Sequence, residues 1–497
     1  MAFIARTALC LIAAAALAHA QNATLAPVVN ATLPPPPTLG TSVLVQQLAL
    51  SAVNATAGFS IALLPTTTPG TDYVFIGAPS YTNGNVTSGA VLLALCSGLY
   101  SENVTCSELP VVITGSNATS GDYFGCSLAL DGTNLLVGAC MANNAQGKAY
   151  LFDCSNPSNC SQLAVILAPT TQTNLYFGDT LAFSNGKAVI SNFFPAFADD
   201  AIAYVFDCTN AAVNHHCLLL RGLSGSNLAT NSNFNDLYNP TEISDNSYYI
   251  AGADGQDAVY IWNLNEINNC TWVDDGAFPV CNEDVLILSD LAGFGADVRY
   301  TSGILAVSAD RANGGMGAIV LYSCPQLDSC GSSSDISTTI APITGNTGDN
   351  FGASFDIVAD SEGAALVIGA PGAAQGNGSV SLYTCSGTPP TLTFCELVTS
   401  YNGTTPNSAF GAVVVIEKTN GDYVLIGSQS LEGGVFVLSD PLVQPYVPTV
   451  PPTTPPPPTP TNAGQSSPAG GVSDATRTFS TLLSIALSAV AVAFLAL

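Results

Sequence analysis

The chain has 497 residues and carries 8 Lys+Arg against 35 Asp+Glu, so its formal net charge at pH 7 is -27. A surface this acidic repels nucleic acid and anionic lipid, which excludes both as direct partners. It attracts divalent cations, but acidity also keeps an exposed protein soluble, and we prefer that simpler explanation.

Residues 1–20 predict a secretory signal peptide. Arg6 precedes a short apolar run, and Ala18-His19-Ala20 has the small-x-small pattern of a signal-peptidase site. The run is too short to span a bilayer and is not amphipathic, which disfavours a membrane helix or a buried helix. Cleavage before Gln21 leaves a proline-rich segment, residues 21–40, ahead of the main body.

Residues 41–441 repeat one pattern of strands seven times. An opening strand with Phe-Gly is followed by a strand ending in Gly-Ala-Pro or a variant, and then by an aromatic strand such as "GKAYLFDC". Gly, Asn and Asp turns separate the strands, and no long helical periodicity appears. A repeating four-stranded unit indicates an all-β fold, a seven-bladed β-propeller.

The seventh unit ends after its third strand, where a proline-rich segment begins. The segment "SVLVQQLAL", residues 42–50, precedes the first unit and matches the fourth strands of other units. We expect it to pair with blade seven and close the ring, which removes an open sheet edge.

The order of these motifs resembles the FG-GAP repeat of the N-terminal propeller of integrin alpha subunits. The sixth unit, Phe351 to Pro371, carries it most fully. The resemblance implies a seven-bladed adhesion propeller whose loops between first and second strands hold calcium. Those loops here contain too few carboxylates for the six to eight oxygens that calcium needs. We therefore expect no cofactor; Asp360 and Glu362 come nearest to a Ca²⁺ site, and an ordinary polar turn is the alternative.

Cysteines indicate a disulfide framework, because an even number remains once Cys10 leaves with the signal peptide. Zinc is disfavoured, since no two close pairs share a CxxC spacing. Cys126 and Cys140 flank a turn of the second unit, which predicts a cross-strand bridge. The other predicted bridges close hairpins between third and fourth strands: Cys96–Cys106, Cys154–Cys160, Cys208–Cys217, Cys270–Cys281, Cys324–Cys330 and Cys385–Cys395.

Asn-x-Ser/Thr motifs predict N-glycosylation of an exported chain. They occur at Asn22, Asn30, Asn54, Asn85, Asn103, Asn117, Asn159, Asn269, Asn377 and Asn402.

One face of the propeller is a candidate contact surface. It is built from the loops between second and third strands and from the loops between blades, and over blades three to five it carries no glycosylation motif. Aromatic and charged residues in that sector are typical of a contact surface. Alternatively, Phe193, Phe194 and Phe197 pack beneath their loop. The candidate ligand-binding residues are Phe193, Phe194, Phe197, Asp199, Asp200, Asp254, Asp257, Asp310 and Arg311.

No catalytic motif is recognisable. His215 and His216 lie within one cysteine hairpin without obvious carboxylate or histidine partners, and there is no GxSxG, HExxH or phosphate-binding loop. We therefore do not expect an enzyme.

The C-terminal part predicts a stalk and an anchor. Residues 442–470 are rich in Pro and Thr, which favours an extended polyproline II segment. Within residues 471–497, a polar spacer and an apolar tail follow small residues, the pattern of a GPI-attachment signal that is removed. The candidate attachment residues are Gly470, Gly471 and Ser473; a single C-terminal transmembrane helix is the alternative.

These features predict a lipid-anchored protein on the extracellular side of the cell surface. Its propeller loop face would bind a protein or a glycan in adhesion, and its partners would include the membrane but no nucleic acid. Two alternatives stay open: an extracellular propeller hydrolase or lyase with carboxylates in the axial channel, and a structural surface-coat glycoprotein.

Overall fold

The computed structural model describes residues 44–50, 55–66, 71–97, 105–170, 173–192, 203–225, 242–244, 248–268, 272–274, 279–342, 345–361, 363–416, 423–429 and 434–439. The chain forms two compact units, Met1–Tyr446 and Val447–Leu497, and the second lies wholly outside the described residues. No helix in the described part combines the length and the hydrophobicity needed to cross a membrane.

The first unit is a ring of seven antiparallel blades, which confirms the predicted fold class. Blades one to four contain β2 (Ile61–Pro65), β3 (Thr71–Ala78), β4 (Ala90–Ser97) and β5 (Thr105–Ile113); β6 (Phe124–Asp131), β7 (Asn134–Ala139), β8 (Lys148–Asp153) and β9 (Ser161–Leu167); β10 (Leu181–Ser184), β11 (Lys187–Ser191), β12 (Ala203–Asp207) and β13 (Leu218–Leu223); and β14 (Glu242–Ile243), β15 (Tyr248–Ala253), β16 (Ala258–Asn263) and β19 (Val285–Leu288).

Blades five to seven continue the pattern. They contain β20 (Phe294–Thr301), β21 (Ile304–Ala309), β22 (Ile319–Ser323) and β23 (Ile336–Ile340); β24 (Ser354–Ala359), β25 (Gly363–Ala370), β26 (Ser379–Thr388) and β27 (Thr391–Asn402); and β28 (Phe410–Ile416), β29 (Tyr423–Ser428) and β30 (Gly434–Ser439) with β1 (Leu44–Gln47). Short turns interrupt the loops at α1 (Ala142–Ala145), α2 (Ala211–Asn214), α3 (Ala312–Gly315) and α4 (Ala373–Gly376), and α1, α3 and α4 each contain two residues with left-handed backbone.

Blade four adds a hairpin that joins it to blade three. The short strands β17 (Trp272–Asp274) and β18 (Pro279–Cys281) pair with each other, and β18 pairs in parallel with β13. The sheet of blade three therefore has six strands.

Hydrophobic clusters lie between the blades. The side chains of one cluster come from blades one and seven together, among them Val74 and Leu92 from the first and Tyr423 and Val437 from the second. The Tyr423 hydroxyl also donates a hydrogen bond of 3.1 Å to Oδ2 of Asp72. These contacts join the last blade directly to the first.

Glycines set how closely the blades approach. At Gly138, in the Gly-Ala-Pro position of blade two, an added Cβ would overlap the carbonyl oxygen of Gly178, the Phe-Gly glycine of blade three. Real Cβ atoms do not come that close to backbone atoms, so these positions accept only hydrogen. The same relation joins four other glycine pairs: Gly77 and Gly125, Gly252 and Gly295, Gly369 and Gly411, and Gly427 and Gly58.

A hydrogen bond across the blade boundary recurs beside these glycines. Ser127 Oγ donates to the carbonyl of Gly178 over 2.7 Å, and Ser60 and Ser354 make the same contact with Gly125 and Gly411 over 2.9 Å. Each hydroxyl thus provides a hydrogen-bond donor for a buried carbonyl at the blade boundary.

The strand β1 pairs with β30 at the outer edge of blade seven. The antiparallel register runs from Leu44 opposite Ser439 to Gln47 opposite Phe436. This is the position expected from the sequence; that the pairing is what closes the ring stays a prediction.

Five of the predicted hairpin disulfides are present. They are Cys96–Cys106, Cys154–Cys160, Cys208–Cys217, Cys324–Cys330 and Cys385–Cys395. Cys281 is also disulfide-bonded, whereas Cys270 lies outside the described residues.

The predicted bridge between Cys126 and Cys140 is absent. Both are free, buried thiols, and the Cys140 N–H donates to Sγ of Cys126 over 3.2 Å. The prediction assumed regular pairing around the turn, but the register shifts between Phe124 and Leu128 and displaces Cys126. Burial raises the pKa of the Cys140 thiol well above its ordinary value, which disfavours the reactive thiolate.

Replacing residues 42–50 with a Gly/Ser linker of equal length tests the role of β1. We expect a lower melting temperature and concentration-dependent self-association, because the edge of β30 becomes exposed. The same replacement of residues 451–459 is the control and should change neither quantity. A melting temperature equal to that of the control would show that β1 does not stabilise the ring.

Candidate functional site

The described members of the predicted contact sector meet at the boundary between blades four and five. Asp254 follows β15, and Arg311 follows β21. Nη1 of Arg311 lies 2.7 Å from Oδ2 of Asp254, and Nη2 donates to the Asp254 carbonyl over 2.7 Å. This charge-assisted pair joins the two blades.

Two further acidic residues hold the adjoining loop. Oδ1 of Asp257 accepts a hydrogen bond of 2.6 Å from the Gly293 N–H, and the Asp310 carboxyl group occupies the space that a Cβ at Gly293 would need. The sequence placed these residues in one sector of the loop face, and in the structure their charged groups make contacts at the boundary between blades four and five. The Arg311 side chain is 45% exposed and stays accessible to a ligand.

The remaining predicted members of the sector, Phe193, Phe194, Phe197, Asp199 and Asp200, lie outside the described residues. Their role in binding stays a prediction.

A pocket of about 580 Å³ opens elsewhere on the same face, between blades two and three. Its wall is formed by the loop that enters blade two, the loop between β7 and β8, and the loop that enters blade three. Among the lining residues are Thr119, Asp122, Asn143, Asn144, Asn174 and Tyr176.

Backbone hydrogen bonds hold the three loops together. The Met141 N–H donates to the Asp122 carbonyl over 3.2 Å, and the Tyr176 N–H donates to the Ala145 carbonyl over 2.9 Å. The pocket is therefore preformed by the fold.

Asn143 and Asn144 occupy a left-handed turn, with φ values of 54° and 58°. Asparagine tolerates this conformation better than most residues do. The equivalent turns hold Asn313 and Gly314 in blade five and Ala374 and Gln375 in blade six. The backbone is thus a repeated feature, whereas two adjacent exposed amides belong to blade two alone among these three turns.

An ion pair lies beneath the pocket. Nζ of Lys148 is 3.0 Å from Oδ2 of Asp122, with both side chains buried, and it also lies over the Tyr150 ring. Burial opposes the charge of Lys148, but contacts with Tyr150 and Asp122 outweigh it and raise the pKa of the ammonium group. The ammonium group of Lys148 therefore stays charged beside the Asp122 carboxyl group.

Asp360, the predicted Ca²⁺ candidate, closes a tight turn. Its Oδ1 accepts a hydrogen bond of 3.1 Å from the Gly363 N–H, while Glu362 lies outside the described residues. In the described parts of the chain, no three His, Cys, Asp or Glu side chains lie close enough together to hold a metal ion.

The first strands of neighbouring blades contact one another around the ring axis. The first strands of blades five and six each carry a buried carboxyl group, Asp297 and Asp356. Asp297 is fully buried; its Oδ1 lies 2.6 Å from Nη1 of Arg299, and its Oδ2 accepts a hydrogen bond of 2.9 Å from the Phe355 N–H in the next blade. Asp356 in turn accepts from the Ile416 N–H over 3.0 Å. Both carboxylates thus connect neighbouring blades.

Comparison with known families agrees with this geometry. Residues 111–152, which run from the end of β5 through most of β8, match the FG-GAP repeat family. The chain carries an integrin-like FG-GAP propeller. The comparison with curated protein sequences found no match.

Five predicted glycosylation sites of the FG-GAP propeller lie in described residues. Asn85, Asn117, Asn159 and Asn402 are exposed and Asn377 is half-buried; Asn22, Asn30, Asn54, Asn103 and Asn269 lie outside the described residues. Sugar attachment at these positions stays a prediction.

Asp297 makes the stability of the propeller depend on pH. Desolvation raises its pKa from 3.8 to about 8, although Arg299 opposes the shift. The folded state therefore keeps a proton that the unfolded state releases. This contribution to stability is complete below about pH 4 and is lost as the pH rises through about 8.

Asp297→Asn should accordingly weaken the decline in melting temperature between pH 4 and pH 8. Thermal unfolding of the variant and of wild type across this range measures the difference. Asp290→Asn, at an exposed carboxylate, is the control and should follow wild type. A slope for Asp297→Asn equal to that of the control would contradict the assignment.

Proposed function

We propose that this protein is an extracellular binding protein, held at the cell surface by a lipid anchor, whose propeller loop face binds a protein or a glycan in adhesion. The observation that carries the proposal is the preformed pocket of that face, set in loops that backbone hydrogen bonds tie together. Binding residues carried on loops above a rigid scaffold are a common arrangement in recognition proteins.

The disulfides support an extracellular location. Five bridges close short hairpins in blades one, two, three, five and six. Bridges of this kind persist in oxidising compartments and are rare in the cytosol. The four exposed glycosylation motifs fit the same compartment.

The contacts of the axial carboxylates favour binding over the hydrolase or lyase alternative. A raised pKa, as at Asp297, is a feature of many catalytic acids. Asp297 is fully buried, however, and its oxygens contact Arg299 and the Phe355 N–H. A general acid must reach its substrate, and this carboxyl group instead joins two blades.

A structural coat would need no distinctive face. The pocket, its exposed amides and the half-exposed Arg311 give this face a chemistry of its own, which favours a binding role.

One experiment tests both the anchor and the binding. Cells that display the full chain are treated with phosphatidylinositol-specific phospholipase C, and the released protein is applied to an array of glycans and extracellular proteins, with and without Ca²⁺. We expect release from the cells and binding that does not require Ca²⁺.

The control for attachment is a chain with Gly470, Gly471 and Ser473 all replaced by Leu, because the attachment site requires small residues. It should not reach the surface in a phospholipase-sensitive form. Wild-type protein that resists the phospholipase would favour a transmembrane tail, and a released protein that binds nothing would overturn the binding function.

A further inference from the structure

We infer that the pocket between blades two and three is a binding site for a neutral carbohydrate, with the amides of Asn143, Asn144 and Asn174 as its hydrogen-bonding groups. The inference rests on the proposed binding function and names the site and the ligand class.

Three asparagine side chains in the pocket have unused hydrogen-bonding capacity. Asn143, Asn144 and Asn174 are exposed, and within the described residues their side chains make no hydrogen bond. Each amide offers two donor hydrogens and one acceptor oxygen. Three such groups in one concavity match a ligand whose hydroxyl groups both donate and accept.

The electrostatics of the pocket favour an uncharged ligand. The carboxylate that lines the pocket, Asp122, is only 2% exposed. Its Oδ1 accepts from the Thr119 hydroxyl over 2.6 Å, and its Oδ2 lies 3.0 Å from both the Thr119 N–H and Nζ of Lys148. It therefore has little capacity left for a cationic ligand. Anionic ligands are repelled by a chain with a net charge of -27, so the pocket favours an uncharged one.

The volume and the lining of the pocket suit a sugar. A volume of about 580 Å³ lies within the range of roughly 300–1,000 Å³ that small-ligand sites occupy. Tyr176 lines the wall and is half-buried, so an aromatic surface lies beside the amides. Peptide ligands are usually anchored by large apolar side chains in apolar pockets. This wall is mostly polar, which favours a sugar over a peptide.

The fold supplies variants that remove the amides without straining the backbone. Asn144→Gly introduces the residue that blade five has at the equivalent position, Gly314. Glycine adopts a positive φ at no steric cost. Asn143→Gly works in the same way, and Asn174 also has a positive φ, of 62°. Gln375→Gly in the equivalent turn of blade six is the matched control.

The full chain is applied to an array of neutral glycans, acidic glycans and extracellular proteins, before and after enzymatic removal of its own N-glycans, because Asn117 lies on a loop of the pocket. We expect neutral glycans to bind, and Asn143→Gly with Asn144→Gly to weaken that binding about tenfold or more. Asn174→Gly should also weaken it, Gln375→Gly should not, and all variants should keep the wild-type melting temperature.

Two results would overturn the inference while leaving the proposed function intact. One is binding of neutral glycans that the asparagine variants do not weaken, above all if Phe193→Ala with Phe194→Ala abolishes it. The other is binding confined to proteins or acidic glycans. If no ligand of any class binds, both the inference and the proposed function are wrong.

Discussion

The propeller depends on a close backbone approach between neighbouring blades, which a pair of glycines permits at five of the boundaries in the described residues. The glycine near the end of one blade's second strand faces the carbonyl of the glycine that opens the next blade. The opening glycines adopt φ values near +90°, which other residues rarely reach. Because neither position has room for a side chain, the sheets approach closely enough for the serine hydroxyls to bond across the boundary.

The boundary between blades five and six shows a second solution. Ser308 replaces the glycine, and its hydroxyl accepts a hydrogen bond of 2.7 Å from the Asp297 N–H. The Asp297 carboxyl group then takes the position of the serine hydroxyl and reaches the next blade through the Phe355 N–H. A small side chain between the sheets is therefore accommodated when a longer acceptor spans the gap, at the cost of burying a carboxyl group.

This geometry also explains what the sequence could predict. The fold was predictable because most copies of the repeat keep glycines where blades meet, and the copies share apolar residues where blades pack. The Arg311–Asp254 pair was not, because its members come from different blades and only the ring brings them together. The prediction of a Cys126–Cys140 bridge was wrong because the register shift between Phe124 and Leu128 displaces Cys126. The pocket was missed because Asn143 and Asn144 look like ordinary turn residues until the left-handed backbone exposes both amides. The available signal for the pocket was a pair of adjacent asparagines at a turn where blades five and six have other residues.

If the boundary glycines leave no room for a side chain, replacing them with alanine should destabilise the ring. Gly138→Ala and Gly369→Ala should each lower the free energy of unfolding by about 1–3 kcal/mol, the usual cost of overpacking, or prevent secretion. Gly345→Ala is the matched control, because its φ is ordinary and its nearest neighbours are side-chain atoms of Pro342 and Met316. Thermal unfolding of the secreted proteins compares the three. We expect a large loss of stability at Gly138 and Gly369 and little change at Gly345. Equal melting temperatures for all three variants and wild type would show that the boundary positions tolerate a side chain.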